Sequence, residues 1–189
     1  MTGDAILMQR SMGAEPVLPR SFYARPVCGV ARDLLGKVIR KGNRSGIIVE
    51  TEAYLGQGDR AAHSARGITP RTRVLFGPAG HAYVYLIYGI HYCLNISAET
   101  DGIAGCVLLR ALQPLAGIEV SASGPGRLTK ALGIDMHDNG KDVTAGSLVI
   151  FEPAVQQRFR IETSRRIGIT KSADLPLRFS IQSNAHVSR

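Results

Sequence analysis

Apolar positions recur at helical spacing in some parts of the chain and alternate with polar ones in others. Val27, Val30, Ala31, Leu34 and Leu35 fall on one helical face, which predicts an amphipathic helix stopped at Gly36. Residues 37–40 predict a strand, KGNRSG a turn, and IIVETEAY a second strand. The richest β signal is HAYVYLIYGIHYCLNIS, residues 81–97, crowded with aromatic and β-branched residues and interrupted at Tyr88-Gly89. It predicts a long hairpin with Tyr88 at the tip. CVLLRAL (106–112) predicts a short buried strand, and SGPGRLTKALG a Gly/Pro loop leading into a helix closed by Gly133. GSLVIFE and PLRFSIQ predict late strands. The connections are too short for parallel crossovers, so the class is α+β with mainly antiparallel neighbours. Residues 1–17, small and polar, read as a flexible tail before a single compact domain spanning 18–189.

The strand IIVETEAY carries candidate chemistry. Alternation places Glu50, Glu52 and Tyr54 on one face, and Ile47, Val49, Thr51 and Ala53 on the other. Carboxylates two residues apart stand roughly 7 Å apart along a strand, and each opposes ionisation of the other. Such a group can serve as a general base toward water. The plainer reading is the solvated face of an amphipathic strand. Tyr54 and the turn GQGDRAAH, which leads to His63, add an aromatic ring and an imidazole at the strand end, as a pocket for a flat polar ring would require. Glu52, Asp59 and His63 also offer metal-ligand atoms, but neither HxH nor HExxH spacing is present. No metal or cofactor is expected.

Composition narrows the partners. The chain has 189 residues, 44% of them hydrophobic, enough for one core, and a formal net charge of +8 that favours a polyanion. Its three cysteines, an odd number without a CxxC pair, argue against a disulfide framework and for a reducing, cytoplasmic setting. No charged segment followed by a long apolar run marks a signal peptide, and no apolar run approaches the roughly 20 residues of a membrane helix. No membrane partner is expected.

Five motifs occur in order: VETEAYLGQGDRAAHS, TPRTRVLFGPAGHAYVYLIYGIHYCLNIS, CVLLRALQPL, GPGRLTKALGI and PLRFS. Together they resemble the alkyladenine (3-methyladenine) DNA glycosylases of the vertebrate alkyladenine glycosylase type, over about Leu18 to Phe179. The resemblance implies one compact domain with a curved antiparallel sheet, a protruding hairpin and peripheral helices. It implies a monomeric base-excision-repair enzyme that flips an alkylated or deaminated purine out of duplex DNA and hydrolyses its N-glycosidic bond.

By position, the resemblance makes Glu52 the general base, with Arg110 and the Ile167 carbonyl holding the attacking water. Tyr54, His63 and Tyr85 become the walls of the base pocket, and Asn95 the group that crowds the 2-amino substituent of guanine. Tyr88 becomes the wedge that fills the gap in the stack. Glu50 receives no catalytic role and is left as either a structural group or one that tunes Glu52. Tyr85 and Asn95 share a face only if the hairpin loop has three residues, Tyr88 to Ile90, rather than two. Arg66, Arg71, Arg73, Arg165, Arg166 and Lys171, and more weakly Arg127 and Lys130, are candidates for phosphate contacts. Thr72 and His91 depart from the residues usual in the family. No lysine lies between Glu50 and Thr129, which argues for hydrolysis rather than a Schiff-base lyase. The competing readings are a non-catalytic nucleic-acid-binding protein and a hydrolase of free nucleosides.

Overall fold

The computed structural model describes residues 16–188. Residues 1–15 of the expected tail lie outside the described residues, and Val17 near its end forms an antiparallel bridge with Phe151. The elements follow in the order α1 (Arg20–Tyr23), α2 (Val27–Asp33), β1 (Val38–Lys41), β2 (Arg44–Tyr54), β3 (Ala82–Ile87), β4 (His91–Ala98), β5 (Gly105–Ala116), α3 (Pro125–Leu132), β6 (Leu148–Phe151), β7 (Ile161–Ser164) and β8 (Arg178–Ile181). The strands form one curled antiparallel sheet in the order β3-β4-β5-β2-β1-β6, with β8 pairing both β2 and β7. The class is α+β, as the pattern predicts. The short, polar β7 and the four-residue α1 carried no periodic signal.

The helices form where the spacing places them. Val27, Val30, Ala31 and Leu34 are buried, and the chain leaves α2 through Gly36 at φ 82°. Helix α3 opens on Pro125, whose missing N–H is no loss in a first turn, and closes on Gly133 in the left-handed region. Both helices pack on the sheet over the main core. A smaller cluster of Leu75, Tyr83, Ala104 and Cys106, with Tyr54 and Tyr85 packed against it, lies apart from that core.

Strand β2 is where simple alternation fails. Its register against β5 runs Ile48↔Leu112, Glu50↔Ala111, Thr51↔Leu109, so Val49 is extra on one strand and Arg110 on the other. The bulge exchanges faces. Below it Thr51 and Ala53 face α2, with the Thr51 hydroxyl donating to the Ala31 carbonyl at 2.8 Å. Above it Ile48 joins that core, while Ile47 packs with Val38 and Phe151 on the other side. The expected face of Ile47 is therefore corrected. The solvated-face reading of the glutamates is excluded as well: Glu50 and Glu52 are both 0% exposed.

The hairpin settles its own register. The last β3–β4 pair is Ile87↔His91, which leaves a three-residue loop, Tyr88 to Ile90. Tyr88 (φ 54°) and Gly89 (φ 72°) both adopt left-handed backbone in it. Tyr85 pairs with Cys93 and Tyr83 with Asn95, so Tyr83, Tyr85 and Asn95 project from one face.

Candidate active site

A cavity of about 350 Å³ opens between the β3–β4 hairpin, the end of β2, β5 and the loop after β7. Tyr54, His63, Tyr85, Asn95, Arg110 and Ile167 all line it, and Tyr88 stands at its edge with 83% of its surface exposed. Glu52 lies just behind this lining. Its Oε2 accepts from the Tyr54 hydroxyl at 3.0 Å, and its Oε1 accepts from the Ile167 peptide N–H at 2.8 Å and meets Arg110 Nη1 at 3.2 Å. The structure therefore brings Glu52, Tyr54, His63, Tyr85, Tyr88, Asn95, Arg110 and Ile167 around one space. The group of Ile167 that touches Glu52 is its N–H.

Two bulged residues create this meeting. A bulge redirects side chains where regular pairing would keep them in register. Arg110, the extra residue of β5, sends Nε to Glu50 Oε1 at 2.9 Å and Nη1 to Glu52. The two carboxylates share one guanidinium and end with opposite proton affinities. Burial would raise Glu50, but hydrogen bonds from Arg178 and Ser188 and the charge of Arg110 hold it below the usual carboxylate range. For Glu52 burial prevails over Arg110, the Ile167 N–H and the Tyr54 hydroxyl, and its carboxyl is raised. A raised carboxylate is a better proton acceptor near neutral pH.

The aromatic walls are braced from behind. Arg166 grips Asp59 with two hydrogen bonds of 2.6 and 2.9 Å, and its guanidinium lies 4.6 Å from the Tyr54 ring centroid. Asp59 also accepts from the peptide N–H groups of Leu55 and Ala61, which fixes the loop carrying His63. The same loop needs Gly56: at φ 82° it packs so closely that a Cβ would sit 2.7 Å from the Ala104 carbonyl oxygen. His63 stands edge-on to Tyr85 at 4.6 Å, and its Nδ1 lies 2.8 Å from the Tyr83 hydroxyl. Burial, then the charge of Arg71, lowers the His63 pKa and favours a neutral imidazole. Asn95 is buried, with Nδ2 donating to the Tyr83 carbonyl at 3.3 Å. Burial pushes the Cys106 thiol up to about 12, so this wall of the cavity stays uncharged.

Among the basic candidates, Arg166 is corrected: it is 5% exposed and committed to Asp59, so it braces Tyr54 and does not face a phosphate. Arg71 donates to the Tyr83 hydroxyl at 3.2 Å and lies 4.9 Å from the Tyr85 ring, against the cavity wall. Arg66, Arg73, Arg127, Lys130, Arg165 and Lys171 are exposed. Asp59, a metal-ligand candidate, spends both oxygens on Arg166 and peptide N–H groups. Among the described residues no group of three or more His, Cys, Asp or Glu is placed to hold a metal ion, and no helix is long and apolar enough to cross a membrane. The three cysteines are free thiols.

Residues 21–185 match the methylpurine-DNA glycosylase family. The chain is 47% identical over 190 residues to a protein of Methanoculleus marisnigri, which covers 91% of this chain and 98% of that one. It is 48% identical over 192 residues to a protein of Koribacter versatilis, covering 90% and 92%, and 46% identical over 179 residues to one of Legionella pneumophila, covering 91% and 98%. All three carry the name "Putative 3-methyladenine DNA glycosylase". The chain belongs to the methylpurine-DNA glycosylase family.

Membership makes it a DNA glycosylase, an N-glycosyl hydrolase whose substrate is DNA. Within this glycosylase, three structural features escaped sequence reasoning. Tyr83 lines the cavity beside Tyr85, and the spacing of two residues on a strand was a signal that could have found it. Arg166 and Arg165 are adjacent arginines that no pattern separates. Ser188, whose N–H donates to Glu50 Oε2 at 2.7 Å, has no signature at all.

Proposed function

We propose that this glycosylase removes alkylated or deaminated purines from duplex DNA by flipping the damaged nucleotide into the aromatic cavity and hydrolysing its N-glycosidic bond. The observation that carries this reading is the placement of Glu52: a fully buried carboxylate whose three contacts, Tyr54, Arg110 and the Ile167 N–H, all belong to residues lining that cavity. The motif resemblance to the vertebrate alkyladenine type supports the same reading.

In this mechanism the purine stacks among Tyr54, Tyr85 and His63. Electron-rich ring faces favour the positive charge that many alkylated purines carry. Asn95, held by the Tyr83 carbonyl, crowds the 2-amino group of an undamaged guanine and excludes it by clash. Tyr88, exposed on a left-handed tip, enters the stack from which the base has left. Oε2 of Glu52 carries one donor, Tyr54, and has a further lone pair for a water entering from the cavity. That water, steadied by Arg110 and the Ile167 carbonyl, attacks the sugar carbon as the purine leaves. Glu52 accepts the proton and offsets the positive charge that develops on the sugar. With no lysine amine among the described residues lining the cavity, the product is an abasic site in an intact strand. The enzyme acts as a monomer on its DNA.

Duplexes carrying a single hypoxanthine, ethenoadenine or 7-methylguanine test this reading, with base release and strand integrity followed separately. Release is expected from the damaged duplexes and not from an undamaged one, with strands breaking only after hot alkali. Release from hypoxanthine, a neutral base that must be protonated to leave, is expected to fall as pH rises. Retained DNA binding with no release from any lesion would leave a binding protein. Breakage without alkali would indicate a lyase.

A further inference from the structure

The carboxylate without an assigned role is held by four hydrogen bonds. Glu50 Oε1 accepts from Arg110 Nε at 2.9 Å, Arg178 Nε at 2.7 Å and the Ser188 hydroxyl at 2.9 Å, while Oε2 accepts from the Ser188 peptide N–H at 2.7 Å. Three donors crowd Oε1 and one holds Oε2. Of these partners only Arg110 lines the cavity, so Glu50 is turned to supports and not to the substrate space. Glu50 is equipped to hold, not to react.

What it holds is Arg110. We propose that Glu50 is a positioning residue: locked by Ser188 and Arg178, it fixes the plane of the Arg110 guanidinium so that one edge is presented to Glu52. The guanidinium is flat and rigid. Its Nε is bound to Glu50 and its Nη2 lies 3.4 Å from the Ser188 hydroxyl, so Nη1 has one direction left, toward Glu52 Oε1 at 3.2 Å. Ser188 thus touches both partners. It is itself anchored: Arg178 Nη2 donates to its carbonyl at 3.2 Å, the Ser123 hydroxyl donates to the His186 carbonyl at 2.7 Å, and Asn184 Nδ2 donates to the Gln113 side chain at 2.9 Å. The segment 184–188 therefore ties β8, β5 and the loop before α3 to the Glu50 end of the cluster.

This inference rests on Glu52 being the base. The charged and titratable groups around Glu52 are Arg110 from β5, Glu50 and Tyr54 from β2, Arg178 opposite it on β8, Cys93 from β4, and Arg166 beyond Tyr54. Loosening Arg110 removes a positive charge from that set. Neutralising Glu50 removes a negative one and leaves Arg110 to Glu52 alone. The two changes push the base in opposite directions, which a purely structural role would not do.

The experiment compares Ser188→Ala, Ser188→Thr and Glu50→Gln with the unaltered protein. It measures single-turnover release from a 7-methylguanine duplex at saturating enzyme across pH, together with DNA affinity. This lesion is already cationic, so its acid limb reports the base. Ser188→Ala is expected to lower the rate about tenfold, as loss of a supporting hydrogen bond commonly does, and to move the acid limb to higher pH. Ser188→Thr, which keeps the hydroxyl, is expected to restore both. Glu50→Gln is expected to move the limb to lower pH, and DNA affinity to stay within about twofold in every variant. Limbs that stay in place, or that shift in the same direction for Ser188→Ala and Glu50→Gln, overturn the proposal. Glu52→Gln is run beside them: if it releases base as fast as the unaltered protein, the assignment of Glu52 has failed. If it is inactive while Ser188→Ala behaves as unaltered, only the positioning role has.

Discussion

The segment that closes over Glu50 and the cavity that opens beside Glu52 are two ends of one ion-pair cluster. Both carboxylates are 0% exposed, both lie on β2, and both meet Arg110. At the closed end four donors hold the proton affinity of the group down. At the open end burial prevails and raises it. Two equally buried carboxylates thus differ through their partners. Those of Glu52 all line the cavity, while Glu50 is tied to Arg178 and Ser188, which do not; the proposed function makes the first the base and the second its support.

The largest effect is expected at the closed end. Replacing Glu50 with alanine strands Arg110 and Arg178 without their shared carboxylate. Removing one partner from a buried ion pair costs about 3–5 kcal/mol. Urea unfolding of Glu50→Ala is expected to show a loss of that size, and a loss below about 1 kcal/mol, the range of exposed pairs, would mean that the closed end is not holding the cluster.

The next largest effect lies at the rim. Tyr88→Ala removes an aromatic face that can stack in the DNA. It is expected to weaken binding to a lesion-bearing duplex about tenfold, in keeping with one lost stacking contact. Binding to an undamaged duplex, dominated by phosphate contacts, is expected to change little. Equal losses on both duplexes would remove Tyr88 from lesion capture.

The smallest effect carries the most informative sign. A depressed carboxyl stabilises the fold above its unfolded value, near 4.5 for both residues, and that contribution is lost as pH falls through the folded pKa. A raised carboxyl stabilises only below that value, and the contribution is lost as pH rises through its folded pKa. At pH 7 Glu50→Gln is therefore expected to lower the thermal midpoint, and Glu52→Gln to leave it unchanged or raise it. Both gaps are expected to narrow in acid. Midpoints that fall equally in the two variants at pH 7 would show the carboxylates to be equivalent.

Much of this was legible in the sequence, and the exceptions have physical causes. The hairpin announced itself through its aromatic alternation and Tyr88-Gly89, and α3 through a proline at its start and a glycine at its end. The cavity residues followed from motifs, but their conjunction depends on two bulges, and a bulge leaves no mark on hydrophobic periodicity. For the same reason simple alternation puts Ile47 on the wrong face. The sequence offers Arg166 as a phosphate contact because its partner, Asp59, is brought to it only by folding. Ser188 lies 138 residues from Glu50 along the chain, and nothing in its neighbourhood identifies a serine that completes a buried ion pair.

In the proposed function Glu52 activates the water that releases the purine. The most direct test of this role is single-turnover base release by Glu52→Gln from a hypoxanthine duplex at enzyme concentrations that saturate binding. DNA binding is expected to be retained and release to fall by about a thousandfold, within the range for loss of a general base. Release at an undiminished rate, with the same DNA saturated, would contradict it.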